Sequence, residues 1–141
     1  MSRIIITGHG NFASGISTSL ELITGIDDSI STVDFKVDNS IDDLETNLLE
    51  MINKDNKDLI ILCDLLGGSP FKISCLLKER FKERNIEVIG GTNLAMLLQA
   101  YLLKDAINLN ELIVEIIKGG HDAINFFQMV KRDEVQYEDG I

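Results

Sequence analysis

The 141-residue chain has no tryptophan, a single proline, two cysteines and only 6% aromatic residues. Two cysteines are too few for a disulfide scaffold, and Cys63 and Cys75 lack metal-ligand spacing. Both lie in apolar runs and read as reduced, buried thiols of a cytoplasmic protein. No apolar run approaches the roughly 18 residues of a membrane span. Met1-Ser2-Arg3 leads straight into Ile4-Ile5-Ile6, too short for the apolar core of a signal peptide. Positive charge is scarce as well: 13 Lys and Arg against 23 Asp and Glu leave a net charge of -10. Such a surface repels phosphate backbones and argues against a nucleic-acid partner, while it suits a basic protein partner or plain solubility. What the chain does have is 45% hydrophobic residues, enough for a core, in a length that fits one domain. We place that domain at 1–133 and an acidic, fraying tail at 134–141.

Buried strands and amphipathic helices alternate along the chain. Arg3 to Thr7 is a β-branched run halted at Gly8, as a strand covered on both faces would be. After the Gly8-His9-Gly10 turn, Asn11 is the expected cap of a helix carrying Phe12, Ile16, Leu20 and Ile23 to a stop at Gly25. Ile30 to Val37 alternates as a second strand, and Ser40 caps a helix with acids in its first turn. Leu59 to Cys63 is a third strand ending at Asp64. A helix starts at Ser69 and runs to about Arg84, with Ser69 as cap and Pro70 at its first position. Ile86 to Ile89 is a fourth strand stopped by Gly90-Gly91, and Asn93 opens the next helix. Leu109 to Lys118 reads as helix broken by Gly119-Gly120, and Ile124 to Val130 reads equally as helix or as antiparallel edge strand. The pattern specifies an α/β fold: a single-domain, doubly wound, mainly parallel sheet with helices on both faces.

In such sheets ligands sit beyond the carboxyl ends of the strands, where neighbouring connections diverge. The unusual residues gather there: Gly8-His9-Gly10 after strand one, Asp64-Leu65-Leu66-Gly67-Gly68-Ser69-Pro70-Phe71 after strand three, and Gly90-Gly91-Thr92-Asn93 after strand four. A histidine between two glycines at a strand end has its ring free at the sheet's rim, whereas His121 has no neighbouring motif and reads as a surface residue. If strands one and three are adjacent, Asp64 reaches His9. A carboxylate that takes the proton of one ring nitrogen leaves the other nitrogen unprotonated and nucleophilic. Free amides at one or two helix starts, with the helix dipole, make an anion site. Those parts suit an exchangeable phosphoryl group on His9, and they require no metal and no cofactor.

At these residues the chain resembles the enzyme IIA domain of the mannose family of the bacterial phosphoenolpyruvate-dependent sugar phosphotransferase system. The resemblance rests on Ile4 to Gly10, on Asp64 to Phe71, and on Gly91-Thr92-Asn93-Leu94-Ala95-Met96-Leu97. It implies that His9 is the phosphorylated histidine, that Asp64 is its hydrogen-bonded partner, and that Leu65, Leu66, Gly67, Gly68 and Ser69 line the phosphoryl pocket, framed by Gly8 and Gly10. It further implies a phosphotransferase that accepts phosphate from the carrier protein HPr and passes it to enzyme IIB for coupled sugar uptake and phosphorylation. Contact with the membrane is then only indirect, through the transporter subunits. It also implies a homodimer that exchanges a C-terminal edge strand, Ile124 to Met129. The chain departs from the family pattern at Ala95, where many relatives have proline, at Lys72, where many have asparagine, and at Gly8, where some have threonine.

Three other readings fit parts of the same residues. Gly8-His9-Gly10-Asn11-Phe12-Ala13 matches the G-x-G-x-x-A of a dinucleotide-binding module, with Asp34 placed for a ribose contact. A receiver-type signalling domain would be phosphorylated on Asp64, but it wants an acidic pair after strand one, where this chain has Gly8-His9. The subunit that feeds dihydroxyacetone kinase is related, yet the Gly67-Gly68-Ser69-Pro70-Phe71 run resembles the sugar-transport branch instead.

Overall fold

In this computed structural model, which describes residues 1–130, strand and helix alternate four times before a fifth helix. The order is β1 (Ser2–His9), α1 (Phe12–Thr24), β2 (Ile30–Phe35), α2 (Ile41–Ile52), β3 (Asp58–Cys63), α3 (Ser69–Arg80), β4 (Ile86–Ile89), α4 (Leu94–Leu103) and α5 (Leu109–Asp122). All strand pairs are parallel and the sheet order is β2-β1-β3-β4. The chain moves outward from β1 to one edge and from β3 to the other. The seam between β1 and β3 is therefore the switch point, and their carboxyl ends open a crevice there.

Successive strand residues face opposite ways, so the central strands feed two cores. Ile4, Ile6, Ile60 and Leu62 pack with α1, α4 and α5, while Ile5, Leu59, Ile61 and Cys63 pack with α2 and α3. Cover on both faces explains why β1 and β3 are unbroken apolar runs. Each fully buried Ile or Leu adds about 1.5–3 kcal/mol, which makes the central pair the stiffest part of the sheet.

Several element boundaries differ from expectation. β1 does not stop at Thr7: Gly8 and His9 stay in the ladder, paired with Asp34 and Phe35. β2 ends at Phe35, and Val37 is fully exposed. The cap of α3 is Gly68, in extended conformation, so Ser69 is the first helical residue and makes no cap bond; the helix ends at Arg80, short of Arg84. α5 continues through Gly119-Gly120 because Gly120 lies against Met96, where a Cβ would collide with the Met96 Cγ. Here glycine serves close helix packing instead of breaking the helix. Cys63 is buried as expected, but Cys75 is only partly so. Residues 124–130 adopt neither helix nor strand, and Ile124, Phe126, Phe127, Met129 and Val130 are exposed. The acidic tail expected at 134–141 lies outside the described residues.

Candidate functional site

His9 closes β1 and Asp64 follows β3 by one residue, so adjacency of these strands brings the two side chains together. The Asp64 backbone N–H donates to the Thr7 carbonyl at 3.1 Å, tying the start of the β3–α3 loop to β1. Asp64 Oδ2 then accepts from the His9 backbone N–H at 2.8 Å and lies 2.7 Å from His9 Nδ1. Its other oxygen, Oδ1, accepts from the Leu65 N–H at 2.8 Å. Partial burial pushes the Asp64 carboxyl up, but the His9 and Leu65 donors outweigh it and hold the group below its ordinary 3.8. An ionised carboxylate can only accept, so the shared proton belongs to Nδ1 and Nε2 carries the lone pair of the neutral ring. The carboxylate side chain is 10% exposed and the imidazole 46%, which places the acceptor inside and the ring at the surface.

The ring has neighbours on two further sides. Phe35, opposite His9 in β2, meets it edge-on with ring centroids 6.0 Å apart. A Cβ on Gly68 would lie 2.9 Å from His9 Cε1, so the glycine lets the start of α3 approach the ring. Gly67, at φ +81, turns the loop so that Gly68 meets the helix in extended form. Within that first turn the ladder begins with the Lys72 N–H to the Gly68 carbonyl at 2.9 Å. Ahead of that bond the amides of Ser69 and Phe71 have no helical carbonyl to reach, and Pro70 between them has no N–H to leave unpaired.

The residues singled out in the sequence separate into two groups. His9, Asp64, Gly68 and, next to Gly68 at the start of α3, Ser69 form the site. Leu65 serves it through its backbone, while the Leu65 and Leu66 side chains are 58% and 77% exposed. Leu66 belongs to a neighbouring groove of about 440 Å³ along β4, lined also by Phe71, Val88, Met96, Ile117 and Ile124. Gly8 lies where a Cβ would come within 2.7 Å of Phe12 Cδ1 and 2.9 Å of Asp64 Cγ. Gly10, at φ +58, donates its N–H to the Phe35 carbonyl at 2.8 Å. His121, on α5, is exposed and lines the β4 groove, away from His9. Phe35 was not anticipated; its place at the end of an alternating strand, on the face of Val33, was the available signal. Cys63 is no second nucleophile, because burial pushes its thiol up to about 12. Among the described residues no three His, Cys, Asp or Glu side chains converge as metal ligands would, and no helix is long and apolar enough to cross a membrane.

Comparison with known proteins gives the family and the fold. Residues 3–117 match the EIIA-man family, described as the PTS system fructose IIA component. The PTS system fructose-specific EIIA component of Bacillus subtilis (strain 168) is 24% identical over 115 residues, 80% of this chain and 77% of that protein. The crystal structure of phosphotransferase system component EIIA from Streptococcus agalactiae shares 34% identity over 89% of this chain and 97% of that one, with a TM-score of 0.85. The mannose/sorbose specific IIA subunit from Enterococcus faecalis, at 21% identity, has the same fold: TM-score 0.84 over 94% of this chain and 98% of that one. With most of its length matched by the family and its fold shared with these structures, the chain belongs to the EIIA-man family of sugar phosphotransferase system IIA components.

Proposed function

We propose that the chain relays a phosphoryl group through His9, taking it from the phosphohistidine of HPr and handing it to an enzyme IIB partner for sugar uptake and phosphorylation. The observation that carries this reading is the 2.7 Å contact of His9 Nδ1 with a largely shielded carboxylate at the switch point. With the proton held on Nδ1, the Nε2 lone pair attacks the phosphorus of the donor in line. The new N–P bond forms as the donor's N–P bond breaks, and that electron pair returns to the donor imidazole. The ring of phosphorylated His9 is then cationic, and Asp64 stabilises it through the Nδ1–H. The backbone of Gly67, Gly68 and Ser69 and the amide-rich start of α3 receive the phosphoryl oxygens. Transfer to enzyme IIB is the reverse attack by the acceptor. Such transfer depends on positioning and charge stabilisation, and the scheme uses neither cofactor nor metal.

Neither the dinucleotide nor the receiver reading gains support. Asp34, which a dinucleotide site would turn toward a ribose, gives both carboxylate oxygens to Ser14. Asp64, which a receiver would phosphorylate, is shielded and fully engaged by N–H donors.

The same reading includes a homodimer. Its support is the apolar groove beside the unpaired edge of β4 together with the exposed apolar residues of 124–130 that follow α5. The phosphoryl relay is tested by incubating the chain with phosphoenolpyruvate, enzyme I and HPr and locating added phosphate by mass spectrometry. One acid-labile, base-stable phosphate on His9 is expected, and none on His9→Ala with its fold retained. Base-labile phosphate on Asp64, or undiminished labelling of His9→Ala, would overturn the proposal.

A further inference from the structure

Asp34, the last residue but one of the edge strand β2, lies on the face opposite His9 and is engaged in a way that the phosphoryl relay does not by itself explain. Its Oδ1 accepts from the Ser14 N–H at 3.0 Å and its Oδ2 from the Ser14 hydroxyl at 2.6 Å. Ser14 is the third residue of α1, so this carboxylate from another strand satisfies a free amide of the helix start. Asn11, at the cap position itself, makes no side-chain cap bond. The free Ser14 amide in the first turn of α1 is thus met by Asp34 and not by the side chain of a cap residue.

That turn presses on the reacting pair. Phe12, the first residue of α1, lies against Gly8, and Asp64 lies against Gly8 as well: a Cβ there would meet Phe12 Cδ1 at 2.7 Å and Asp64 Cγ at 2.9 Å. Asp34 is also the register partner of Gly8 in the sheet, and the next residue, Phe35, holds both the Gly10 N–H and the His9 ring. Phe12 and Asp64 thus meet at the same glycine, which gives a displacement of α1 a short route to Asp64 and, through Asp64, to the His9 imidazole.

We propose that Asp34 is a positioning residue for phosphoryl transfer, acting through Ser14 and Phe12 to keep Asp64 in register with His9; this rests on the relay reading above. What matters at this position is the shape of the acceptor, not its charge. Asp34→Asn keeps an acceptor for the Ser14 N–H at the same reach and loses the charge. Asp34→Glu keeps the charge and displaces the acceptor by one methylene.

The experiment measures single-turnover phosphoryl transfer from phospho-HPr in wild type, Asp34→Asn and Asp34→Glu. It also records the His9 Nδ1–H and backbone amide signals in nitrogen-15 NMR spectra of the unphosphorylated proteins, with circular dichroism confirming the fold. Because misplacement of reacting groups by 1 Å costs up to about a hundredfold, Asp34→Glu is expected to slow transfer about tenfold or more while Asp34→Asn stays within about threefold of wild type. The two His9 signals should shift in Asp34→Glu and remain near their wild-type positions in Asp34→Asn. Transfer at wild-type rate in Asp34→Glu, or a loss in Asp34→Asn with Asp34→Glu unaffected, would overturn the inference. Wild-type chain that takes no phosphate on His9 would instead sink the relay reading itself.

Discussion

Replacing Asp64 by asparagine exchanges one oxygen for an NH2 group and removes a charge with almost no change in shape. Three N–H groups converge on this carboxylate: the His9 amide and Nδ1 on Oδ2, and the Leu65 amide on Oδ1. An amide side chain accepts on one side only. If its NH2 faces Leu65, two donors oppose each other, and an unmet part-buried donor costs about 1–3 kcal/mol of stability. If the NH2 faces His9, the ring must turn an unprotonated nitrogen inward, and Nε2 then carries the proton and has no lone pair to attack with. In both cases the cation that forms on phosphorylation loses its carboxylate. A hydrogen bond to a charged group is worth about 1.5–3 kcal/mol, which corresponds to about ten- to 150-fold in rate. The half-exposed ring favours the lower end of that range. Rapid-quench single turnover with labelled phospho-HPr measures the effect directly; a rate within twofold of wild type would refute the role assigned to Asp64. The same variant makes a prediction in acid. Because folding lowers the Asp64 pKa, its stabilising effect is complete above the unfolded value near 3.8 and is lost as pH falls through the folded one. The stability gap between wild type and Asp64→Asn should therefore close only below that pH.

Three further substitutions probe the loops around the ring. Gly68→Ala puts a methyl 2.9 Å from His9 Cε1; the exposed ring can rotate away, so thermal stability should change little while transfer slows, and full-speed transfer would show that the ring need not lie against α3. Gly90→Ala meets the Leu66 backbone at 2.7 Å, where nothing flexible can yield, so overpacking should cost about 1–3 kcal/mol. A urea midpoint unchanged from wild type would contradict that packing. Ser69→Ala should remain within about 0.5 kcal/mol of wild type, because Ser69 makes no cap bond; a loss of about 1 kcal/mol, typical of a removed cap, would restore it to that role.

The sheet was legible because parallel strands buried on both faces leave an unmistakable trace. Ile4-Ile5-Ile6 and Leu59 to Cys63 are apolar at every position, and the helices between them repeat at the helical period. His9 and Asp64 were legible for a related reason: polar residues directly after such runs fall at the carboxyl end of the sheet, where ligands bind. What escaped depends on contacts distant in sequence. Nothing near Asn11 indicates that the start of α1 is held by Asp34, 20 residues away from Ser14. Nothing near Gly119-Gly120 shows that Gly120 admits Met96 from another helix and that the pair does not end its own. The cap of α3 was misplaced by one residue, since the positive φ of Gly67 sets the point at which the chain becomes extended, and backbone angles are not written in residue types. The apolar stretch 124–130 kept its ambiguity because it has no partner within the described chain to choose for it.

On the relay reading, a protein with a net charge of -10 must still attract a doubly charged group to one point. The helix starts suggest how. Four helices begin at the carboxyl end of the sheet, and three of them are already satisfied: α1 by Asp34, α2 by the Ser40–Asp43 capping box with Asp42 beside it, and α4 by the Asn93 side chain. Among the described residues, α3 alone of these four has no side chain, from its own cap or from another strand, on its first-turn amides, and it has no acid in that turn. Its amides and the positive end of its dipole are left for a transient anion, beside the ring that would carry it. Ser69→Asp tests this allocation with effects of opposite sign. A carboxylate in the first turn should stabilise the helix by about 0.3–1 kcal/mol and raise the urea midpoint. The same charge should repel the incoming phosphoryl group and slow single-turnover transfer. A gain in stability with no loss of rate would mean that the phosphoryl group never reaches α3, and that the uncapped helix start is only an accident of the loop before it.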